Sequence, residues 1–338
     1  MRRALLLAGT ALLSGALLTP AVASSYQFKK VASIDLPGKK GHGDLVAYDP
    51  SNHMLYVSMP DDGAVIDTRT NKVVADIKNI PSPNGMAFDQ HYVYWTAAEG
   101  AGKDKTNAVV IIDKKTWKEV GRVTTKGTSP DGIAIDRKTN TLYVTSDDNN
   151  WIEVYSAGEH PQLKATWPLL PKDPKAGPDV GTLVPSLHAI FQPDDAFFER
   201  VDTRTGHVDQ SVDEQLKLTK HGGTKASIYD AKHHRLWVGT TNNEVIVVNA
   251  SDLKTIAKVP THGGIDDVEF DPKLGLVYAY GGNGRKGFDV YDAATMKPVT
   301  FVSTDVGQTH TGAVNSSNHL VYAYGGDGAV VDVFKPVK

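Results

Sequence analysis

Short segments in which apolar and polar residues alternate run along most of the chain, separated by turns rich in glycine, asparagine and aspartate. Many of these segments end in an aromatic or aliphatic residue followed by an acid, as from Leu45 to Asp49 and from Gly132 to Asp136. Alternation with a period of two over four to eight residues is typical of a half-buried β-strand. The pattern therefore predicts many short strands joined by tight turns.

The strands belong to a repeat. The polar residue that ends the first strand of each copy recurs every 40 to 47 residues, at Asp49, Asp89, Asp136, Asp230, Asp271 and Asn315, with one gap of double length. That gap contains a further copy, because the residues from Val201 to Val208 repeat the pattern of those from Ile66 to Val73. Four short strands per copy are typical of a propeller blade. The sequence thus predicts an all-β, seven-bladed β-propeller.

The two ends of the chain complete one blade. The seventh copy stops after its third strand, whereas the residues from Phe28 to Asp35 read as a fourth strand that has no copy of its own. We therefore expect the ring to close by pairing the N-terminal strand with the last blade. An open solenoid, the alternative, would need capping repeats and leaves this strand unexplained. We also expect the proline- and lysine-rich stretch from Trp167 to Val184 to replace the first strand of blade four.

The first residues have the pattern of an export signal. Arg2 and Arg3 precede an apolar run from Ala4 to Leu18, and Ala21-Val22-Ala23 forms an A-x-A cleavage site. The run is shorter than the ~20 residues that a membrane-spanning helix needs. We therefore predict a cleaved signal peptide over residues 1–23, a single propeller domain over residues 24–338 and no membrane span. The expected location is the periplasm, with an extracellular location as the alternative.

Charge and cysteine content limit the partners. The 338 residues contain no cysteine, and 36 Lys and Arg against 39 Asp and Glu give a formal net charge of −3. Disulfides are thereby excluded, so stability has to come from core burial and ring closure. The slightly acidic balance disfavours nucleic acid as a partner without excluding it, because a local basic face is compatible with it. We expect a monomer whose partner is a small ligand or a metal ion.

The second strands carry a family resemblance. The residues from Leu55 to Ser58 and from Leu142 to Thr145, with the turns that follow them, resemble the YVTN repeat of YncE-like exported bacterial β-propellers. This resemblance implies the propeller fold and export. It leaves function open, since members are linked to ligand or nucleic-acid binding and neighbouring propeller families include lactonases, lyases and copper or haem enzymes.

Candidate ligand-binding residues follow from the repeat. We call the polar residues that end the first strands the anchor acids: Asp49, Asp89, Asp136, Asp230, Asp271 and, in the last copy, Asn315. The positions five residues before them hold Asp44, Asn84, Asp131, Lys225, Asp266 and His310. Equivalent positions of successive blades are related by rotation about the central channel, so these side chains are expected to meet at one channel mouth. Asn84 and Asp131 follow Ser-Pro pairs, and a purely structural turn is the competing interpretation for both. We predict Asp44, Asn84, Asp131 and Asp266 as ligand-binding residues.

Four histidines stand near the same level. His42, His221 and His262 are flanked by glycine, and His310 precedes Thr311-Gly312. They fall in blades one, five, six and seven, which are neighbours once the ring closes. Histidine has no special role in turns, and imidazole is a common ligand of zinc, copper and iron. These four residues are therefore the predicted ligands of a divalent transition metal.

Three functions remain open on the sequence. The first is an exported binding propeller that holds a small ligand or transition metal at the histidine-rich channel mouth. The second is a metal-assisted lactonase or lyase in which Asp44, Asp131 and Asp266 help to hold the cation. The third is a scaffold that binds macromolecules without catalysis. The sequence has no nucleophile elbow, P-loop or dinucleotide fingerprint, so whether the protein is an enzyme stays undecided.

Overall fold

Seven antiparallel sheets of four strands each make up the fold. The computed structural model describes residues 26–99, 106–170, 177–213, 223–282 and 284–338. Within these ranges every sheet is a simple meander, except the one that contains both ends of the described chain. The prediction of an all-β, seven-bladed propeller is confirmed. The predicted signal peptide, residues 1–23, lies outside the described residues.

The strands follow one another blade by blade. The N-terminal strand is β1 (Gln27–Asp35), and blades one to three comprise β2 (Val46–Asp49), β3 (Met54–Ser58), β4 (Gly63–Asp67), β5 (Lys72–Ile77), β6 (Pro83–Phe88), β7 (Tyr92–Glu99), β8 (Thr106–Asp113), β9 (Glu119–Thr124), β10 (Pro130–Asp136), β11 (Thr141–Ser146), β12 (Trp151–Ser156) and β13 (Leu163–Pro168). Blades four and five comprise β14 (Thr182–Val184), β15 (Ala189–Asp194), β16 (Phe197–Asp202), β17 (His207–Asp213), β18 (Thr224–Asp230), β19 (Arg235–Thr240), β20 (Glu244–Asn249) and β21 (Thr255–Pro260). Blades six and seven comprise β22 (Ile265–Asp271), β23 (Leu276–Gly281), β24 (Gly287–Asp292), β25 (Lys297–Ser303), β26 (Gly312–Asn315), β27 (Leu320–Gly325) and β28 (Val330–Val337). Among the described residues, no helix has the length and apolar character that a membrane crossing requires.

The anchor acids end the first strands by making turns. The Asp49 carboxylate accepts the Ser51 N–H at 2.9 Å, and the Asp271 carboxylate accepts the Lys273 N–H at 2.9 Å. In the last blade Asn315 replaces the acid, and its side-chain oxygen accepts the Ser317 N–H at 3.0 Å. Asp and Asn are favoured here because their short side chains reach the backbone two residues ahead. The repeated acid thus stabilises the turn after each first strand, which explains its regular spacing.

Ring closure joins the two ends of the chain. Strand β1 pairs antiparallel with β28, from Gln27 opposite Val337 to Asp35 opposite Val330, with one irregularity after Lys30. The sheet order is β1-β28-β27-β26, so the N-terminal strand is the outermost strand of blade seven. This confirms the predicted closure. No edge is left open between the first and last blades, since the missing fourth strand comes from the other end of the sequence.

The core lies between neighbouring blades. Tyr56 of blade one packs against Phe88 and Trp95 of blade two, and both Tyr56 and Trp95 are fully buried. The indole Nε1 of Trp95 donates a hydrogen bond of 2.9 Å to the Ser58 hydroxyl. A buried indole needs such a partner, because an unpaired N–H loses its hydration without compensation. Similar clusters of buried aromatic and aliphatic side chains lie between other neighbouring blades.

Blade four keeps its first strand, contrary to the prediction. Trp167 belongs to β13 of blade three, and the three residues of β14 pair with β15, from Thr182 opposite Phe191 to Val184 opposite Ala189. The insertion is therefore shorter than expected. The sequence pattern failed here because a three-residue strand is too short to show a period of two.

Candidate cation site in the central cavity

The inner strands bring equivalent residues to one mouth of the channel. Asp131, Lys225 and Asp266 are each the second residue of an inner strand, β10, β18 and β22. Together with Asp44 and His310 they line a cavity of about 280 Å³ on the propeller axis. The structure thus brings together five of the six side chains that the repeat places five residues before an anchor acid. The predicted ligand residues Asp44, Asp131 and Asp266 all reach this cavity.

Asn84 occupies the corresponding position of blade two but does not line the cavity. Its side-chain nitrogen donates a hydrogen bond of 2.9 Å to the Pro130 carbonyl, and its own carbonyl accepts the Ser58 hydroxyl at 2.6 Å. The first contact ties the inner strands of blades two and three together, and the second ties blade two to β3 of blade one. The structure therefore places Asn84 in the structural role that was the competing interpretation of its Ser-Pro-Asn-Gly context.

In blade four the equivalent cavity residue is Asp179, which the sequence did not lead us to predict. Pro178 forms a bridge with Asp194 at the end of β15, just as Pro130 pairs with Ser146 at the end of β11. Asp179 therefore corresponds to Asp131. A Pro-Asp pair opens β10 and stands shortly before β14, and it was the available signal, but blade four has no anchor acid from which to count back. Asp147 and Asp267 also line the cavity and were likewise missed.

Among the described residues that line the cavity, Lys225 supplies an ammonium group. Its ammonium lies 2.6 Å from the Asp179 carboxylate, and both side chains are largely buried. The charge of Asp179 is the main reason that the pKa of Lys225 is raised above its ordinary value, although burial opposes the shift. The ammonium therefore stays charged at neutral pH, and one of the cavity carboxylates is neutralised by the protein itself.

The other acids are crowded and poorly solvated. Burial raises the pKa of Asp131 well above its ordinary value, and the charges of Asp179 and Asp44 raise it further. The pKa of Asp44 is raised in the same way, first by burial and then by Asp266. Burial raises the pKa of Asp267 to about 7, although the Thr311 hydroxyl and the Gly312 N–H donate to its carboxylate at 3.1 and 3.2 Å. An added cation would relieve this repulsion.

His42, Asp44 and His310 form a cluster of metal-ligand type at the blade-seven and blade-one side of the cavity. One ligand atom from each residue lies within 4.8 Å of the other two. The two imidazole rings are stacked, with centroids 4.1 Å apart and an interplanar angle of 12°. His42 and Asp44 lie in the loop between β1 and β2, whereas His310 lies between β25 and β26. Ring closure is what brings them together.

The environment of His310 favours the neutral imidazole, the form that binds metals. Its side chain is 1% exposed, its Nδ1 lies 3.3 Å from the Gln308 carbonyl, and its Nε2 is buried with no hydrogen-bond partner. Burial lowers the pKa of His310, although Asp266 opposes the shift. When Nδ1 carries the hydrogen that faces the carbonyl, Nε2 carries the lone pair. A buried acceptor without a donor costs stability unless a ligand satisfies it.

The remaining predicted metal ligands do not join this cluster. The exposed His262 lies against Asp289, with Nδ1 2.6 Å from a carboxylate oxygen, and its ring packs on Phe301 at 4.8 Å. It does not line the cavity. The glycines near it resemble those around His42, but the side chain is exposed and contacts Asp289 instead. His221 lies outside the described residues. The structure thus brings together two of the four predicted histidines and adds Asp44, which was predicted as a ligand-binding residue.

Two imidazoles and one carboxylate form a donor set with defined chemistry. Imidazole suits zinc, copper, nickel and iron, whereas a carboxylate completes such sites and adds negative charge. Three protein ligands leave at least one coordination position for water or a small ligand. The cavity in front of the cluster has room for that ligand. The arrangement is thus suited to bind a divalent transition metal with an open position.

Comparison with known proteins identifies the fold alone. No family model and no curated protein matches the chain. The solved structure of the Cps50 (Swd1) β-propeller domain of Myceliophteria thermophila is similar, with 11% identity, a TM-score of 0.71 and coverage of 92% of this chain and 100% of that one. Hydrazine synthase of Kuenenia stuttgartiensis is also similar, with 16% identity, a TM-score of 0.72 and coverage of 89% and 97%. The resemblance to YVTN-repeat proteins therefore stays a prediction, while the β-propeller fold is supported.

Proposed function

We propose that this protein is an exported, periplasmic β-propeller that binds a divalent transition metal through His42, Asp44 and His310, with a small ligand completing the coordination. The observation that carries the proposal is the buried Nε2 of His310, which has no hydrogen-bond partner and belongs to the three-residue cluster. A neutral imidazole beside a carboxylate is ready to coordinate without releasing a proton from the ring. Export rests on the sequence pattern of residues 2–23.

The charge of the cavity supports a cation as the ligand. Among the described residues that line it are the carboxylates of Asp44, Asp131, Asp179, Asp266 and Asp267 and one ammonium group, that of Lys225. In a partly desolvated cavity this excess of negative charge attracts cations much more strongly than it would in water. A divalent ion at the histidine cluster would offset part of the repulsion between Asp44 and Asp266.

Metal analysis tests the proposal directly. The purified protein is stripped with a chelator, loaded with Zn²⁺, Cu²⁺, Ni²⁺ or Co²⁺, desalted and analysed for metal per chain, and the affinity is measured by calorimetry. We expect about one ion per chain and a loss of at least about 100-fold in affinity for His310→Ala, because each removed ligand leaves a site with two protein donors. His42→Ala should lose affinity too.

His262→Ala is the matched control for the metal experiment. It removes an imidazole with the same glycine-flanked context, but His262 binds Asp289 outside the cavity. Its affinity should stay within about twofold of the unaltered protein. Equal losses for His262→Ala and His310→Ala, or no metal retained by the unaltered protein, would refute the proposed site.

Export has its own test. Expression of the full chain in a Gram-negative host, followed by fractionation and N-terminal sequencing, should give a periplasmic protein that begins at Ser24. A change of Ala23 to a bulky residue should block cleavage, since the peptidase needs small residues there. Retention of the uncleaved chain in the cytoplasm would contradict export while leaving the metal site untouched.

A second candidate function is metal-assisted hydrolysis or elimination. One observation favours it: Asp131 faces the same cavity, and burial raises its pKa, so it suits proton transfer to or from a metal-polarised substrate. A panel of lactones and esters, assayed with and without the bound metal, should then show turnover that Asp131→Asn abolishes. Turnover that is indifferent to Asp131→Asn and to metal removal would eliminate this candidate.

A further inference from the structure

Gln308 lies next to both imidazoles of the histidine cluster. It belongs to the loop between β25 and β26, two residues before His310. Its backbone carbonyl oxygen lies 3.3 Å from Nδ1 of His310, and its side-chain Oε1 lies 3.4 Å from Nδ1 of His42. The two rings are stacked, with centroids 4.1 Å apart. One residue therefore reaches the same nitrogen atom of both rings.

Both contacts favour the same tautomer of imidazole. Carbonyl and amide oxygens only accept hydrogen bonds, so an Nδ1 that faces such an oxygen has to carry the hydrogen. In a neutral ring the lone pair is then on Nε2. Metal-binding histidines depend on outer partners of this kind, which fix the tautomer and the orientation of the ring. The contacts of Gln308 thus leave Nε2 of each ring as the atom that can bind a metal.

The backbone of Gln308 adopts a conformation that is unfavourable for glutamine. Its φ angle is 62°, in the left-handed region that residues with a Cβ atom seldom adopt. Hydrogen bonds hold the segment there: the Thr309 N–H donates to the Arg285 carbonyl at 3.0 Å, and the Gly326 N–H donates to the Gln308 carbonyl at 3.4 Å. Strained residues of this kind occur preferentially at functional sites. Glycine adopts this conformation more readily, so the presence of glutamine points to a role for its side chain.

We propose that Gln308 is the positioning residue of the metal site, where its carbonyl and side-chain oxygens keep the hydrogen of both imidazoles on Nδ1. This inference rests on the proposed metal function and adds to it a residue that does not touch the metal. His42 is exposed, whereas His310 is buried, so packing restrains the His42 ring less and the side-chain contact matters more for it. Side-chain substitutions of Gln308 leave its backbone carbonyl in place, so His310 serves as an internal reference.

Zinc affinity of side-chain variants tests the proposal. Gln308→Met keeps the length of the side chain but removes its oxygen, so the affinity for Zn²⁺, measured by calorimetry, should fall about tenfold or more. An ionised glutamate only accepts hydrogen bonds. Gln308→Glu therefore preserves the required contact and should bind Zn²⁺ within about threefold of the unaltered protein or more tightly. Gln162→Met is the matched control, since Gln162 is exposed, contacts the His160 carbonyl and does not line the cavity. Its affinity should stay within about twofold.

The tautomer itself is measured by NMR. Chelator-treated protein labelled with ¹⁵N-histidine is examined at about pH 8, where neutral imidazole predominates, and the signals absent from His42→Ala identify His42. In the unaltered protein and in Gln308→Glu, the hydrogen of His42 should be on Nδ1. In Gln308→Met it should shift toward Nε2, because the acceptor is lost, while the signals of His310 should be unchanged. A purely structural role of Gln308 would not move the tautomer of one ring alone.

Three results would overturn the proposal. They are an unchanged His42 tautomer in Gln308→Met, equal losses of Zn²⁺ affinity in Gln308→Met and Gln308→Glu, and equal affinities of Gln308→Met and Gln162→Met. Failure of the metal function would appear differently, as an unaltered protein that binds no Zn²⁺. The NMR measurement needs no metal, so it still decides whether Gln308 positions the ring of His42.

Discussion

The two sides of the central cavity differ in how the charge of their carboxylates is compensated. The histidine side comprises His42, Asp44 and His310, and the lysine side comprises Asp131, Asp179 and Lys225. On the lysine side the protein supplies its own cation, which lies 2.6 Å from Asp179. On the histidine side there is a carboxylate with a raised pKa, two stacked imidazoles and a buried nitrogen without a partner. One side is internally compensated, and the other is left to a ligand.

This difference shows how a repeat protein acquires a site. The inner strands fix where the side chains stand, because equivalent positions at or just before the first strand of six blades line the cavity. The identity of that residue then decides whether the position stabilises the fold or binds a ligand. Substitutions that exchange these roles should therefore act on stability at the lysine side and on binding at the histidine side.

Removal of the internal cation should have the largest effect on stability. Lys225→Met leaves the charges of Asp179 and Asp131 uncompensated in a partly desolvated cavity, and breaking such a pair costs ~3 kcal/mol. We expect urea denaturation at pH 7 to show a loss of that order in the free energy of unfolding. The exposed pair of Lys254 and Asp252, 3.0 Å apart, provides the control, since Lys254→Met should cost less than ~0.5 kcal/mol. Equal costs at the two lysines would show that Lys225 is no internal counterion.

The repeat made most of the fold predictable. Strand alternation and the spacing of Asp49, Asp136 and Asp271 are local features, and each has a local cause in a turn that the acid itself makes. The closure by residues 28–35 was predictable because one strand was left over. The first strand of blade four was not, because its three residues carry no readable period.

The site was predictable only in part. Counting back from the anchor acids located Asp44, Asp131 and Asp266, since position in a blade fixes the distance from the axis. It missed Asp179, whose blade has no anchor acid. The direction of a side chain depends on its neighbours rather than on its position in the repeat. His262 illustrates this, because the nearby Asp289 holds it away from the cavity.

The next largest effect is expected from metal binding, which should stabilise the closure between the two ends of the chain. The proposed ligands His42 and Asp44 follow β1, whereas His310 precedes blade seven, so a bound ion links the two ends of the chain. At a free Zn²⁺ concentration 100 times the dissociation constant, the free energy of unfolding should rise by about 2.7 kcal/mol. Hydrogen exchange should slow most in β1 and β28. His310→Ala should remove both effects, and a rise in stability without protection of β1 would place the ion elsewhere.

Blade four holds an acid that lacks the compensation given to Asp179. Asp194 is fully buried, and burial together with the charge of Glu199 raises its pKa to about 8, although the Asn150 side chain opposes the shift. In the unfolded chain an aspartate has a pKa of about 3.9. The folded state therefore holds an extra proton between these values, so stability falls as the pH rises from about 4 to about 8.

Asp194→Asn should remove this pH dependence. The variant should be more stable than the unaltered protein at pH 8 by ~2 kcal/mol more than at pH 5, measured by urea denaturation at both values. The variant gains more at high pH because the pKa of Asp194 is higher in the folded state than in the unfolded chain. The loss of stability from deprotonating Asp194 therefore grows as the pH rises above the unfolded pKa. Asp305→Asn, at an exposed position, serves as the control and should show no such difference. A variant whose advantage is larger at pH 5 would contradict the assignment.

The smallest effect is expected at Asn84, which belongs to neither side of the cavity. Asn84 donates its hydrogen bond to the Pro130 carbonyl at 2.9 Å and does not line the cavity. Asn84→Ala should therefore cost ~1 kcal/mol of stability, the usual contribution of one hydrogen bond, without changing the affinity for metal. A loss of ligand affinity in Asn84→Ala would mean that position in the ring matters more than the direction of the side chain, and the distinction between the two sides would fail.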